Sequence, residues 1–381
     1  MNKEIVINEK RLLESFLELA KINGPSGSEK PVADFIVPIL EELGFSIQFD
    51  NAHKNFGGDC GNLVAYWEGT DPTTTPLFFS THLDTVLPTE GLQPIIRNGV
   101  IYTDGTTILG ADDRAALAAY LEGIRVIQES GMACGPIELV LTVNEQPGLV
   151  GATYLDYSKV KSKDGYIFDS SGDIGQIIQR GPFSSRFYCE VKGKQSHIGL
   201  NPEEGINAFQ IAAKAILDLK LGQLDPDTLV NIGTIHGGEM SSIIPGEVEL
   251  VGEIRCFHKD GLDQQIQVIK DVMTNAAESY GGEAVVRIEK KYLGFHSPSD
   301  SVLVQNAINA AENIHVEHYV TRTLGGADTN VLNENGLNCI TLGNGFRNIH
   351  TVHEHISVEN LNNGARYVIG LVDEWYKAHR C

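Results

Sequence analysis

The feature that most constrains the fold is residues 137–143, IELVLTV, in which five of the seven side chains are apolar. A continuous apolar run of this length is typical of a strand that is buried on both faces, as in a parallel sheet covered by helices. Other segments, such as 117–127, repeat their apolar residues with the period of a helix. Because strands alternate with helices, the sequence predicts an α/β fold with a mostly parallel sheet flanked by helices.

Side chains of the kind that bind metals follow the predicted strands or begin the next helix. They are His82, Asp112, Glu145, Asp169 and His350. Ligands of parallel sheets bind beyond the carboxyl ends of the strands, so we expect these side chains to meet at one edge. Taken singly, Asp112 could be only a helix cap. Together, the carboxylates would repel one another without a cation, and the set therefore predicts a metal centre.

The spacing of His82 and Asp84 adds to this prediction. A metal-bound imidazole needs a partner for its second ring nitrogen, which fixes the tautomer and the orientation. Asp84, two residues after His82, can fold back and accept that N–H. A His-x-Asp sequence is weak by itself, since a loop histidine beside a turn-forming aspartate has the same spacing.

Charge and cysteine content exclude several classes of partner. The formal net charge of -21 argues against a nucleic-acid partner and against an anionic membrane surface. No apolar run approaches the about 20 residues of a membrane span, and we expect no signal peptide. The six cysteines are scattered without a C-x-x-C motif, which favours reduced thiols in the cytoplasm.

The length of 381 residues predicts two domains. Between about 182 and 294 the predicted order becomes β-α-β-β-α-β, which is typical of a ferredoxin-like sandwich. We therefore expect a catalytic domain formed by 1–181 and 295–381, interrupted by an inserted domain at 182–294.

Several motifs resemble those of the co-catalytic zinc exopeptidases and deacylases, a family that includes peptidase T, carboxypeptidase G and aminoacylase. The matching segments are THLD at 81–84, GADDR at 110–114, GKQSHIG at 193–199, NIG at 231–233 with GG at 237–238 and IP at 244–245, GGAD at 325–328, and NIHT at 348–351. The match spans nearly the whole chain, and its wording is most similar to the peptidase T branch.

The resemblance implies a ligand set for two zinc ions. His82 and Asp169 would hold one ion, and Asp112 would bridge both. His350 would hold the second ion together with Gln146, where the family usually has glutamate. Glutamine offers only a neutral oxygen, so the second site could be weak, could take manganese or cobalt, or could be impaired.

The resemblance also implies roles beyond metal binding. Asp84 would orient His82, Glu145 would be the general base, and His197 would stabilise the oxyanion from an inserted lid. Asn231 and Arg255 would hold the peptide backbone and its carboxylate, although Arg255 could instead pair with a carboxylate of the lid.

The predicted function is a cytoplasmic metal-dependent exopeptidase for small peptides, above all a tripeptide aminopeptidase. A carboxypeptidase or an N-acyl-amino-acid deacylase of the same family is the alternative enzyme. Because Gln146 stands where the family usually has a glutamate ligand, the protein could instead be a non-catalytic relative that binds peptides. Because lids of related enzymes often pair across a two-fold axis, a homodimer through the inserted domain is expected.

Overall fold

The computed structural model describes residues 6–380, which divide into two compact units. The first unit contains the described residues up to Arg180, together with His296–Arg322 and the described residues from Ala327 onward. The second unit contains Gly181–Phe295 and Thr323–Gly326. Within the described residues, we find no helix with the length and apolar character that a membrane crossing requires.

Helices and strands alternate along the chain. The α-helices are α1 (Glu9–Lys21), α2 (Lys30–Glu42), α3 (Ala111–Ser130), α4 (Val150–Thr153), α5 (Ala208–Asp218), α6 (Lys259–Ser279), α7 (Val302–Asn313), α8 (Asp328–Glu334) and α9 (Val358–His379). The strands are β1 (Ser46–Phe49), β2 (Leu63–Trp67), β3 (Leu77–His82), β4 (Ile95–Arg97), β5 (Val100–Tyr102), β6 (Ile137–Thr142), β7 (Asp164–Phe168), β8 (Gln176–Gly181), β9 (Phe183–Lys192), β10 (Ser196–His197), β11 (Gly222–Asp225), β12 (Thr228–Gly237), β13 (Ile243–Ile244), β14 (Glu247–Cys256), β15 (Glu283–Tyr292), β16 (Phe295–His296), β17 (Tyr319–Arg322), β18 (Asn338–Leu342), β19 (Phe346–Arg347) and β20 (His355–Ser357).

The first unit is built on a mixed sheet with the strand order β1-β2-β6-β3-β7-β18-β8, and β17 also pairs with β8. The central strands β6, β3, β7 and β18 run parallel. On one side β1 and β2 pair antiparallel with their neighbours, and on the other β8 pairs antiparallel with β18 but parallel with β17. All six residues of β3 and of β6 are buried. The predicted α/β class is thus confirmed, with a block of four parallel strands in the middle of the sheet.

Glycines end two of the helices as their positions in the sequence predict. Gly131 follows α3 with φ of 68°, and Gly44 follows α2 with φ of 80°. Residues with a side chain rarely adopt this left-handed conformation, which turns the chain out of the helix. Each of these turns leads the chain on toward a strand of the mixed sheet.

The second unit contains the predicted β-α-β-β-α-β order. Its main strands lie in the order β12-β14-β9-β15, all antiparallel, with α5 and α6 packed on the sheet. A buried cluster that includes Phe187, Leu250 and Met273 forms its core. This arrangement is the ferredoxin-like sandwich, extended at one edge by the short strand β11.

A small sheet of the first unit, with the order β19-β20-β5-β4, was not predicted from the sequence. Its strands have only two or three residues each. Runs this short carry no measurable hydrophobic period. The loop between β19 and β20 contains His350.

Candidate metal centre

His82 is the last residue of β3 and is 2% exposed. Its Nδ1 lies 2.9 Å from the carbonyl oxygen of Asp84 and 3.3 Å from Oδ1 of the same residue. Both are acceptors, so Nδ1 carries a hydrogen, and Nε2 is the ring nitrogen left to face a metal ion. Nε2 lies 3.2 Å from Oδ1 of Asp112.

The Asp112 carboxylate lies between the two predicted histidine ligands. Its Oδ1 faces His82, whereas its Oδ2 lies 3.1 Å from Nε2 of His350 and 3.0 Å from Nε2 of Gln146. The alternative that Asp112 only caps a helix is wrong, because both of its oxygens contact these side chains. Asp112 lies in the first turn of α3, at a helix N-terminus as predicted, although its ψ of 98° is not helical.

Asp169, directly after β7, completes a compact group with His82 and Asp112. One ligand atom from each of these three residues lies within 4.8 Å of the others. Glu145 follows β6 and is 9% exposed. The structure thus brings His82, Asp112, Gln146, Asp169 and His350 to one region, with Glu145 tied to them through Asp84.

The electrostatics of this region fit a cation. Burial, with the negative charges of neighbouring carboxylates, raises the pKa of Glu145 and of Asp169 well above their ordinary values. Burial also opposes ionisation of Asp112, but hydrogen bonds from His350 and His82 hold its pKa below its usual range. Buried carboxylates beside imidazole nitrogens are a donor set that Zn²⁺ and similar divalent ions accept.

The Asp84 side chain is fully buried and connects several parts of the centre. Its Oδ1 accepts the backbone N–H of Glu145 at 3.1 Å, and its Oδ2 accepts that of Gln146 at 3.1 Å. The Ser26 hydroxyl donates to Oδ2 at 2.6 Å. Asp84 therefore orients the His82 ring and also fixes the backbone of the next loop.

Sequence reasoning missed Glu354. This buried carboxylate accepts the backbone N–H groups of Leu109 and Gly110 at 2.8 Å each, and that of Asp112 at 3.1 Å. Burial raises the pKa of Glu354 to about 7. Only its closeness to His350 in the sequence could have pointed to it. The neighbouring His353 is exposed.

The other predicted site residues belong to the second unit. His197 ends β10 and is exposed, and its Nδ1 accepts the Gly199 N–H at 3.1 Å. Asn231 is exposed on β12. Arg255 forms an ion pair with Glu253 at 2.7 Å and donates to the Leu324 carbonyl. This ion pair matches the alternative that Arg255 pairs with a carboxylate of the inserted domain.

A cavity of about 520 Å³ lies beside the His350 loop in the first unit. It is lined by residues of β4 and β5 and by Asn348, Val352, His353 and His355. This volume is within the range of small-molecule binding sites.

The mixed sheet, the ferredoxin-like unit and the buried histidine–carboxylate cluster together define a metal-dependent hydrolase. Comparison with known sequences narrows this class. Residues 62–170 match the family described as peptidase family M28, and residues 184–281 match the peptidase dimerisation domain.

The chain belongs to the peptidase T-like family of co-catalytic metallopeptidases. It is 38% identical to the uncharacterised protein YqjE of Bacillus subtilis over 97% of this chain and 99% of that protein. It is 26% identical to peptidase T of Fusobacterium nucleatum, over 91% of this chain and 82% of the relative.

Solved structures agree with this assignment. Aminopeptidase PepT from Bacillus cereus superposes with a TM-score of 0.91 at 35% identity, covering 97% of this chain and 99% of the other. A tripeptidase from Staphylococcus aureus superposes with a TM-score of 0.94 at 36% identity, covering 98% and 100%. The chain is therefore a peptidase, and its family and donor set support a centre for two divalent metal ions.

Proposed function

We propose that this protein is an aminopeptidase that removes the N-terminal residue of tripeptides. The observation that carries the proposal is the Asp112 carboxylate, which faces His82 with one oxygen and His350 with the other. A bridging carboxylate between two histidines is what a co-catalytic metal pair requires. The similarity to PepT and to a tripeptidase supports the choice of substrate.

The proposed ligands follow from these contacts. One zinc ion would take His82 Nε2, Asp112 and Asp169, and a second ion would take Asp112, His350 and Gln146. When bound, the ions would supply Lewis acidity, which acidifies water and polarises the scissile carbonyl. Gln146 must then present its carbonyl oxygen. That neutral ligand favours a weaker second site, or one filled by manganese or cobalt.

The remaining roles belong to side chains of the protein. Glu145 would take a proton from the attacking water and return it to the leaving amine. Asp84 would hold the His82 ring in its metal-binding tautomer. His197 would donate to the tetrahedral oxygen. Asn231 and Arg255 would contact the peptide backbone and carboxylate.

The test is hydrolysis of a peptide panel by protein that has been stripped and reconstituted with Zn²⁺, Mn²⁺ or Co²⁺. Mass spectrometry should detect a free N-terminal residue and a dipeptide from tripeptides, with slower cleavage of dipeptides and tetrapeptides. Release of the C-terminal residue would instead support the carboxypeptidase, and cleavage of N-acyl amino acids the deacylase. Absence of hydrolysis with every metal would favour the peptide-binding relative.

We also propose a homodimer formed through the second unit. Its support is the match of residues 184–281 to the peptidase dimerisation domain. Phe209, Leu217 and Ile235 are exposed apolar side chains within this range. Light scattering coupled to gel filtration should give twice the chain mass of 41.5 kDa.

The cytoplasmic location stays a prediction from the sequence.

A further inference from the structure

A second group of metal-binding side chains lies in the first unit, formed by Glu29, Asp59 and Cys60. One ligand atom from each lies within 4.8 Å of the others. Glu29 precedes α2 and is fully buried, Cys60 is 9% exposed, and Asp59 is exposed. None of these residues belongs to the centre around Asp112.

The two carboxylate oxygens of Glu29 have different surroundings. Oε1 accepts the backbone N–H of Gly27 at 2.7 Å and that of Asn144 at 2.9 Å. Oε2 is buried and has no hydrogen-bond partner among the described residues. A buried acceptor without a partner loses the full free energy of its hydration, so such atoms are uncommon in native proteins. Oε2 is therefore an oxygen available to a cation.

Asp59 and Cys60 lie at the wall of a cavity of about 480 Å³. His53 also lines this cavity, and its Nδ1 is buried without a partner among the described residues. Oδ1 of Asp59 accepts the Lys30 N–H at 3.0 Å, which fixes the carboxylate. The nearby Lys30 ammonium is engaged by Asp34 at 2.7 Å. A cation could thus reach the group through the cavity.

We propose that Glu29, Asp59 and Cys60 bind a further divalent cation of the zinc or cobalt type. A thiolate selects against Mg²⁺ and Ca²⁺, which prefer oxygen ligands, and favours Zn²⁺, Co²⁺ or Cd²⁺. One sulfur and two carboxylates supply three ligands of a tetrahedral zinc ion and leave the fourth position to water from the cavity.

Binding at this site should release protons. Burial raises the pKa of the Cys60 thiol to about 12, and burial raises that of Glu29 to about 7. The bound cation requires the thiolate and the carboxylate, so its affinity should rise with pH. The charged side chains that act on these two groups are Lys30, Asp34, Asp59, Asp84 and Arg114.

Glu29 connects the proposed site to the loop that contains Glu145. Its Oε1 holds the N–H of Asn144, the residue directly before Glu145. A cation on Oε2 would order the Glu29 side chain and, through it, this backbone. Glu29 is therefore a positioning residue, separate from the groups proposed to touch the substrate.

Titration of the metal-free full-length protein with Co²⁺ tests the site. A cobalt–thiolate bond gives an intense charge-transfer absorption in the near ultraviolet. None of the ligands proposed around Asp112 is a cysteine, so this band would report the new site alone. The band should saturate within three equivalents of added Co²⁺ per chain, because the two proposed sites around Asp112 also take cobalt, and it should be lost in Cys60→Ser. It should persist in the control Cys134→Ser, which alters another buried free cysteine.

A second variant guards against a folding defect. Asp59→Asn changes an exposed side chain and should leave circular dichroism unchanged while weakening Co²⁺ binding at the thiolate by tenfold or more. The proposal is overturned if wild type shows no thiolate band, if the band survives in Cys60→Ser, or if Asp59→Asn binds as wild type does. The readout does not use peptidase activity, so its failure would leave the proposed function intact.

Discussion

Nδ1 of His82 lies 2.9 Å from the backbone oxygen and 3.3 Å from the side-chain oxygen of Asp84. The same Asp84 carboxylate accepts the backbone N–H of Glu145 at 3.1 Å. One side chain thus orients a proposed metal ligand and also anchors the proposed general base. This arrangement makes Asp84 a sensitive position for a first test.

Asp84→Asn should lower metal affinity and kcat/KM by about 10–100-fold, because the amide is uncharged and replaces one acceptor by a donor. Affinity would be measured by competition with a chromogenic chelator, and activity on a tripeptide. Asp300→Asn, an exposed aspartate of the same unit, is the control and should match wild type. An unchanged affinity in Asp84→Asn would mean that Asp84 does not orient His82.

Glu145→Gln should lower kcat by about 10²–10⁴-fold, because the amide cannot carry the proton between water and leaving group. Metal content, measured by elemental analysis, should not change. Glu90→Gln alters an exposed glutamate and serves as the control. If Glu145→Gln were as active as the control, Glu145 would not be the general base.

Gln146→Glu should strengthen binding of the second metal ion. In the metal-free protein the new carboxylate would face Oδ2 of Asp112, which Gln146 now contacts at 3.0 Å, and Tm should fall. Added metal should then raise Tm more than in wild type, since a cation relieves the repulsion. Gln93→Glu, at an exposed position, should show neither effect. If the number of metal ions bound per chain and the activity stay unchanged, Gln146 does not limit metal binding at the second site.

The stability of the metal-free protein should depend on Glu354. Its folded-state pKa of about 7 exceeds the 4.5 of an exposed glutamate, so the folded state holds more protons between these pH values. Its contribution is fully present below about pH 4.5 and is lost as pH rises through about 7. The free energy of unfolding, measured with urea in a chelating buffer, should therefore change less with pH over this window in Glu354→Gln than in wild type. If the free energy of unfolding had the same slope against pH in both proteins, the raised pKa would not belong to Glu354.

His197→Ala should lower kcat by about 10²–10³-fold with metal content unchanged, as expected when one oxyanion donor is removed. His236→Ala provides a matched control, because His236 is also an exposed histidine of the second unit. Equal activity of the two variants would rule out a catalytic role for His197.

Local patterns predicted much of the fold. The apolar run that forms β6 indicated a buried sheet, and the β-α-β-β-α-β order of 182–294 indicated the ferredoxin-like unit. The positions of His82 at the end of β3 and of Asp169 after β7 followed from the apolar runs of these strands, because ligands of such sheets bind at the carboxyl ends of the strands. The small sheet around His350 escaped prediction, since its strands are too short to show a period.

The sequence by itself determined which chemical groups would stand at the ends of the strands, because hydrophobic period and turn residues act over a few neighbouring positions. Only the tertiary structure decided their partners. The Glu354 carboxylate meets the Asp112 backbone across 242 residues of chain, and Glu29 meets Asn144 across 115. Such hydrogen bonds join groups whose separation along the chain is arbitrary, so they exist only once the packed core has brought them together.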